Sequence, residues 1–249
     1  MPAADKLPDT PSFSLEGRRA VVTGASRGIG LAAAAALAQA DAEVTLIARS
    51  QDQIEAAAEA IRKEGGKAHA IVLDVSDIAA VREFFEQRPA FDILVNNAGT
   101  NRTMPIMDAT EEDYDTVVDL NLKSAFFVAQ ACLKKMIADE VRGSLIHTGS
   151  QMGHVGGPNR TLYCASKWGL EGMNKALALD VAGFGIRSNT IAPTFIETPL
   201  TRPFFEDKDF LAGILQNIKL GRIGQVNDIM GAIVFLASDA SALMTGSSI

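Results

Sequence analysis

Short, almost wholly apolar runs alternate with helix-length amphipathic segments along most of this chain, and few architectures accommodate that pattern. Residues 20–23, 43–48, 69–73, 93–95, 145–148 and 187–191 read as strands. Between them the periodicity predicts helices over 28–39, 52–63, 78–87, 111–138 and 162–182, then 209–218 and 226–237. On the second of these, Ile54, Ala57, Ala58 and Ile61 share one face, and Gly65-Gly66 stops it. Strands apolar on both sides need cover on both faces, and strand–helix–strand units make their strands parallel. The expected fold is therefore α/β, a doubly wound parallel sheet of Rossmann type in a single domain.

A chain of 249 residues with 47% hydrophobic content can bury one large core. Residues 1–15, polar and holding Pro2, Pro8 and Pro11, read as a flexible tail before a domain spanning 16–249, and not as a signal peptide. A net charge of −7 argues against a nucleic-acid surface. The apolar run 29–38 is too short to span a bilayer, so a cytoplasmic protein without a membrane partner is expected. Cys132 and Cys164 are the only two cysteines, and both read as packing residues. No metal-ligating cluster stands out.

The first strand–helix junction reads Thr23-Gly24-Ala25-Ser26-Arg27-Gly28-Ile29-Gly30. Its glycines permit a tight turn and close backbone approach to a pyrophosphate, which the positive end of the following helix attracts. Further on, Ser150 ends the fifth strand, and Gln151 to Arg160 form a polar, glycine-containing loop. The next helix opens with Thr161 as its expected N-cap. Tyr163 and Lys167 then stand four residues apart, on one helix face. A free phenol titrates near pH ~10, and bringing it to about 7 requires roughly 4 kcal/mol of differential stabilisation. A neighbouring ammonium can supply part of that, and a hydroxyl at Ser150 could hold a carbonyl oxygen beside the phenol. An ordinary amphipathic Tyr-x-x-x-Lys pair is the plainer alternative.

With these residues together, the chain resembles the short-chain dehydrogenase/reductase family, whose glycine motif is Thr-Gly-x-x-x-Gly-x-Gly, over nearly its whole length from about Glu16. The resemblance implies that Asn96, Asn97, Ala98 and Gly99 stabilise the sheet and border the cofactor. It places Asp74 and Val75 at the adenine and gives Asn121 a water in a proton relay. Ser150, thirteen positions before Tyr163, would orient the substrate oxygen. Tyr163 would exchange the proton, and Lys167 would hold the nicotinamide ribose and lower the tyrosine pKa. Pro193, Ile196 and Thr198 would line the nicotinamide, although Thr194 stands where the family usually has glycine. The last residues, Leu243 to Ile249, look like the entry to a seventh strand, and the sequence ends before the Val-Asp-Gly-Gly segment of the family. The final strand is accordingly expected to be cut short, with an exposed sheet edge. The implied strand order is 3-2-1-4-5-6, and the implied activity is nicotinamide-dependent alcohol oxidation or carbonyl reduction. A non-catalytic dinucleotide-binding regulator on the same scaffold is the rival reading.

Loops beyond the strand C-termini carry Arg102, Gln151, His154 and Asn159 as candidate substrate contacts, alongside Asn101, Arg160 and Glu197. They suggest a small polar substrate such as a sugar, polyol or sugar acid, in the gluconate 5-dehydrogenase-like branch. A 3-oxoacyl-thioester reductase is the alternative. The broad apolar content of segments 111–138 and 162–182 predicts packing against symmetry mates, as a homodimer or homotetramer. The second strand ends Ala48-Arg49-Ser50, without the acid that would bind a ribose 2′-hydroxyl. Arg49 and Arg27 offer forked donors to a 2′-phosphate, so NADP is expected ahead of NAD, which remains possible.

Overall fold

A computed structural model describes residues 7–249; residues 1–6 of the expected tail lie outside that range. Six strands form one parallel sheet: β1 (Arg19–Thr23), β2 (Glu43–Ala48), β3 (Lys67–Val72), β4 (Ile93–Asn96), β5 (Ser144–Thr148) and β6 (Arg187–Ile191). Their order is β3-β2-β1-β4-β5-β6, the doubly wound arrangement, with its reversal between β1 and β4. The crossovers are α1 (Gly28–Gln39), α2 (Gln51–Lys63) and α3 (Ile78–Glu86). They continue with α4 (Glu111–Val118), α5 (Ser124–Ala138) and α6 (Thr161–Val181), and α7 (Lys208–Asn217) and α8 (Asn227–Ala237) follow β6.

Alternation along each strand divides the core into two layers. Ala20 and Val22 of β1 join Leu37, Leu46, Ile54, Ile233 and Leu236 under α1, α2 and α8. Val21 points the other way, into Ile47, Phe84, Phe85, Leu94, Leu133 and Met136 under α3 and α5. Each such side chain contributes about 2 kcal/mol on leaving water. Leu15, at the end of the expected tail, is already packed in the first layer, and its N–H donates to the Ala40 carbonyl at 2.7 Å.

Three local departures from the sequence expectation bear on the site. The helix expected over 111–138 is not uniform, because one π turn, Asp119–Lys123, joins α4 to α5. By length and composition this helix could cross a membrane, yet half of the apolar window is buried against the rest of the protein. Next, α6 begins at Thr161 itself: Arg160 occupies the N-cap position, and no side chain caps the helix. Finally, residues 246–249 run alongside β6 through a single parallel bridge, Thr190 with Ser248. There the Thr190 N–H donates to the Ser247 carbonyl at 2.9 Å and the Ile249 N–H to the Thr190 carbonyl at 3.1 Å.

Candidate active site

β1 delivers the chain into the glycine loop at the C-terminal edge of the sheet. Gly24 and Gly28 have φ of +63° and +58°, in the left-handed region that side chains rarely adopt. At Gly30 a Cβ would lie 2.2 Å from the Gly24 carbonyl oxygen and 2.5 Å from Asn97 Nδ2, so α1 can start this close to β1 only with glycine there. Its N-cap, Arg27, makes no side-chain capping bond and the first turn holds no acid, which leaves the helix's first amides and positive dipole end for an anion. Such a cradle, with backbone bare of side chains, fits a dinucleotide pyrophosphate. Ser26 and Ile29 are half-buried within it and Arg27 is exposed.

Asn97 ties three strand ends together. Its Nδ2 donates to the Thr23 carbonyl at 3.0 Å, its N–H donates to Thr23 Oγ1 at 2.9 Å, and Thr148 Oγ1 donates to its Oδ1 at 3.2 Å. The Ala98 N–H shares Thr23 Oγ1 at 3.0 Å, and Asn96 Nδ2 reaches the Ala125 carbonyl at 2.7 Å. Across the crevice, the Thr198 side chain lies 3.4 Å from where a Gly28 Cβ would sit, so the segment after β6 closes on the glycine loop. That segment is pinned by Pro193, whose carbonyl accepts from the Gln151 N–H at 3.1 Å, and by buried Ile196, bridged to Gly224.

Beyond β5, the Ser150 Oγ accepts from the Met152 N–H at 3.1 Å, and its hydroxyl lies near enough to the Tyr163 hydroxyl to favour the ionised phenol. Lys167 is buried under the tyrosine, its Nζ 5.6 Å from the ring centroid and donating to the Thr148 carbonyl at 2.6 Å. Asn121, in the π turn, grips Thr100 on both sides: its Oδ1 accepts from the Thr100 N–H at 2.8 Å and its Nδ2 donates to the Thr100 carbonyl at 2.9 Å. The same Nδ2 donates to Ser166 Oγ at 3.0 Å, which donates to the Tyr163 carbonyl at 2.8 Å. The four residues singled out for chemistry are thus brought together. Gly99 completes the seam, since a Cβ there would lie 3.0 Å from Asn121 Oδ1.

The electrostatics differ from the simple expectation of a lysine that depresses a phenol. Burial pushes the Tyr163 hydroxyl up, with the Ser150 hydroxyl and the Arg160 charge opposing, so at neutral pH it is a protonated acid. Burial also pulls Lys167 down to about 8, partly offset by Glu171 one turn further along α6. The ammonium spends its hydrogen bond on the Thr148 carbonyl, below the ring.

The candidate substrate and cofactor side chains separate into groups. The Arg102 guanidinium is taken up by Asp113 and, at 3.6 Å, Glu112 at the start of α4. His154 Nε2 lies 3.0 Å from Ser248 Oγ and 3.4 Å from Glu171 Oε1. Asn159 sits at φ +58° and its carbonyl accepts from the Met104 N–H at 3.0 Å, stitching the two pocket loops together. Gln151 is half-buried beside Ser150. Arg49 is exposed, 3.9 Å from Asp74, while Val75 is buried in the core. One side chain escaped the sequence reading: Glu171 continues the every-fourth-residue row of Tyr163 and Lys167, a spacing that could have revealed it. Arg160, one of the loop candidates, is enclosed by Phe195, Phe204 and Phe210, which its place in the sequence does not show.

A family profile described as Enoyl-(Acyl carrier protein) reductase matches residues 24–249. The chain belongs to the short-chain dehydrogenase/reductase family. The 3-oxoacyl-[acyl-carrier-protein] reductase of Escherichia coli is 38% identical over 241 residues, covering 95% of this chain and 96% of that protein. The gluconate 5-dehydrogenase of Gluconobacter oxydans is 36% identical over 238 residues, covering 94% and 93%. The crystal structure of a gluconate 5-dehydrogenase from Burkholderia cenocepacia, in complex with NADP and tartrate, superposes with a TM-score of 0.91 at 37% identity, covering 95% and 94%. This short-chain dehydrogenase/reductase is an NAD(P)-dependent oxidoreductase that moves hydride between a nicotinamide and a secondary alcohol or ketone.

Proposed function

We propose that the enzyme interconverts a keto group and a secondary hydroxyl on a small sugar acid or polyol, with NADP as the preferred cofactor. The observation that carries the reaction is the Ser150–Tyr163 hydroxyl pair at the end of β5, with Lys167 buried beneath it. When bound, the cofactor supplies or accepts the hydride. Ser150 then holds the substrate oxygen, and Tyr163, kept protonated by burial, delivers its proton to that oxygen as negative charge develops on it. Lys167, cationic below about pH 8, lies close enough to stabilise the phenolate that remains. Asn121 fixes the start of α6 through Ser166, and so fixes where the Tyr163 hydroxyl stands. In the oxidative direction the phenol must first lose its proton, so oxidation is expected to rise with pH while reduction falls at the alkaline end.

The Gly24–Gly30 loop and the uncapped start of α1 would hold the pyrophosphate. Arg27 and Arg49 would hold the 2′-phosphate, since no acid ends β2. The contact from Arg49 to Asp74 is long and exposed, the kind that contributes ~0–1 kcal/mol and leaves the guanidinium available. The NADP complex of the Burkholderia enzyme supports this choice. The gluconate dehydrogenases, one of them holding tartrate, support a polyhydroxy acid. The Escherichia coli relative favours the second reading, a 3-oxoacyl-thioester reductase. NADPH oxidation with 5-ketogluconate and with an acetoacetyl thioester decides between them. Faster turnover of the thioester would replace the sugar-acid reading, and turnover that survives Tyr163→Phe would remove the reaction mechanism.

An apolar groove between α4–α5 and α6 is lined by Leu122, Phe126, Phe127, Met173 and Leu177, and Trp168 of α6 is exposed. We propose that α5 and α6 cover it with the same helices of another copy, giving a dimer or tetramer. A monomeric mass by light scattering at micromolar concentration contradicts this.

A further inference from the structure

Arg160 is the least compensated charge among the described residues. Only 6% of it is exposed, yet no carboxylate of the described residues lies within ion-pair distance. Its Nη2 is buried without any hydrogen-bond partner. Instead its guanidinium carbon lies 5.5 Å from the ring centroids of both Phe195 and Phe204 and 5.9 Å from that of Phe210. Ring faces offset only part of what a cation loses on leaving water. Neither Arg102, on a pocket loop, nor Arg187, at the opposite edge of the sheet, shares this deficit. Arg102 has Asp113, and half-buried Arg187 donates to Ser241 Oγ at 2.9 Å and to the Leu236 carbonyl at 2.8 Å.

Its position gives the deficit a meaning. Arg160 precedes Tyr163 by three residues, on the same side of the α6 entrance, and its charge is felt at the phenol. The start of α6 has no side-chain cap and no acid in its first turn, so the helix dipole adds to the positive field. Phe204 and Phe210 belong to the segment after β6, the same segment whose Thr198 closes on the glycine loop. A planar guanidinium with a spare N–H in an apolar box is matched by one chemical group in particular, a carboxylate that can take two parallel hydrogen bonds.

We propose that Arg160 is the receptor for the carboxylate of the substrate, so that the enzyme selects hydroxy or keto acids over neutral alcohols and ketones of the same length. This rests on the sugar-acid reading above and deepens it. The acid end of the substrate pairs with the N–H edge of the Arg160 guanidinium, which the three rings hold in place, while the keto carbon reaches Ser150 and Tyr163. The aromatic box excludes water from the ion pair, which strengthens it and makes it discriminating.

The test compares wild type, Arg160→Met and Arg160→Lys on 5-ketogluconate and on a neutral ketose of similar size. Calorimetric titration of gluconate into the NADP-loaded protein runs beside it. Removing a charge-assisted pair is expected to raise KM for the keto acid and Kd for gluconate roughly 10- to 100-fold in Arg160→Met. KM for the neutral ketose and the Kd for NADP should stay within about threefold, and any change in kcat from the lost charge beside Tyr163 should be common to both substrates, a split that loss of aromatic packing alone would not produce. Arg160→Lys, which keeps the charge without the fork, should fall between. Equal rises in KM on both substrates, or an unchanged Kd for gluconate, would overturn the proposal and leave Arg160 as an anchor for the phenylalanines. If wild type reduces no carbonyl but binds gluconate through Arg160, the reaction assignment fails and the anion site stands. If neutral ketoses are reduced well and gluconate neither binds nor reacts, the anion site fails alone.

Discussion

Between β1, β2 and their helices α1 and α2, the side chains wholly removed from water include Val22, Leu37, Leu46 and Ile54; between β5, β6 and α6 they include His147, Ser166, Asn174, Ser188 and Thr190. The nucleotide-binding half is a hydrocarbon interior that needs only shape and volume. The catalytic half is a bonded one. His147 Nε2 meets Ser188 Oγ at 3.2 Å, Ser188 donates to Asn174 Oδ1 at 2.8 Å, and Asn174 reaches the Ser247 carbonyl at 3.3 Å. Alongside, Thr190 Oγ1 donates to Glu171 Oε2 at 2.9 Å. A loop can be redrawn around a hydrocarbon layer with little consequence, whereas every member of a buried polar chain constrains the orientation of the next. The side that must aim a hydroxyl is the side built from directional contacts.

The largest expected effect separates chemistry from stability within the bonded half. Tyr163→Phe should lower kcat by roughly 10³-fold, the scale of one proton-transfer group, while costing less than about 1.5 kcal/mol in urea unfolding. A stability loss as large as the catalytic one would mean that the tyrosine is a structural member of the network. In the hydrocarbon half the reverse holds. Leu46→Ala should cost about 2–5 kcal/mol by the same measurement, with a cost that does not vary between pH 4 and 7.

Acid distinguishes the halves most directly. Burial, helped by the Lys167 charge, pulls His147 down to about 4 from the ordinary value of 6.5. Between those values the unfolded chain binds a proton that the folded one refuses. Stability therefore falls as pH drops from 6.5 to 4, by up to about 3 kcal/mol from this group, and levels off below. His147→Leu should flatten that part of the curve, and an unchanged slope would refute the assignment. At neutral pH, Thr190→Val, nearly the same shape, should cost about 1–3 kcal/mol by leaving Glu171 Oε2 without its donor. The smallest effect lies at the rim: Arg49→Asp should shift the kcat/KM ratio of NADP to NAD by about tenfold towards NAD, with no change in the unfolding midpoint.

This contrast also explains what could be read in advance. Near-continuous apolar runs around Val22, Leu46 and Val95 mark the strands, because a strand covered on both faces is apolar along its length. The strand order followed from the family resemblance, and the residues of the glycine loop from their spacing between the first strand and helix. β6 was legible only by position, since Ser188-Asn189-Thr190 is polar and fully buried, and nothing in its own composition says so. Arg102 and Arg160 look alike in the sequence, both loop cations. One is neutralised by Asp113 and the other is walled in by three rings from residues 195–210, and which is which depends on contacts across 11 residues and 35 or more. The direction of the Tyr163 shift was likewise hidden, because it depends on how deeply the phenol is buried rather than on its neighbour in the motif.

The π turn at Asp119–Lys123 amounts to one residue inserted into an otherwise regular helix. Helical position advances by about 100° per residue, so that insertion sets α4 and α5 in different angular phase about their common axis. The two segments can then obey separate demands. α4 aligns with the capping contacts of Thr110 and Asp113, and α5 turns Val128, Cys132 and Met136 into the core. Asn121 stands where the phases meet, and its amide is buried between Thr100 and Ser166. Excising any one residue of this turn would let the helix relax to an unbroken α spiral. It would also rotate every later side chain of α5 by about 100° against its neighbours. The irregularity is a phase adjustment between the pocket and the core, and the helix cannot serve both without it.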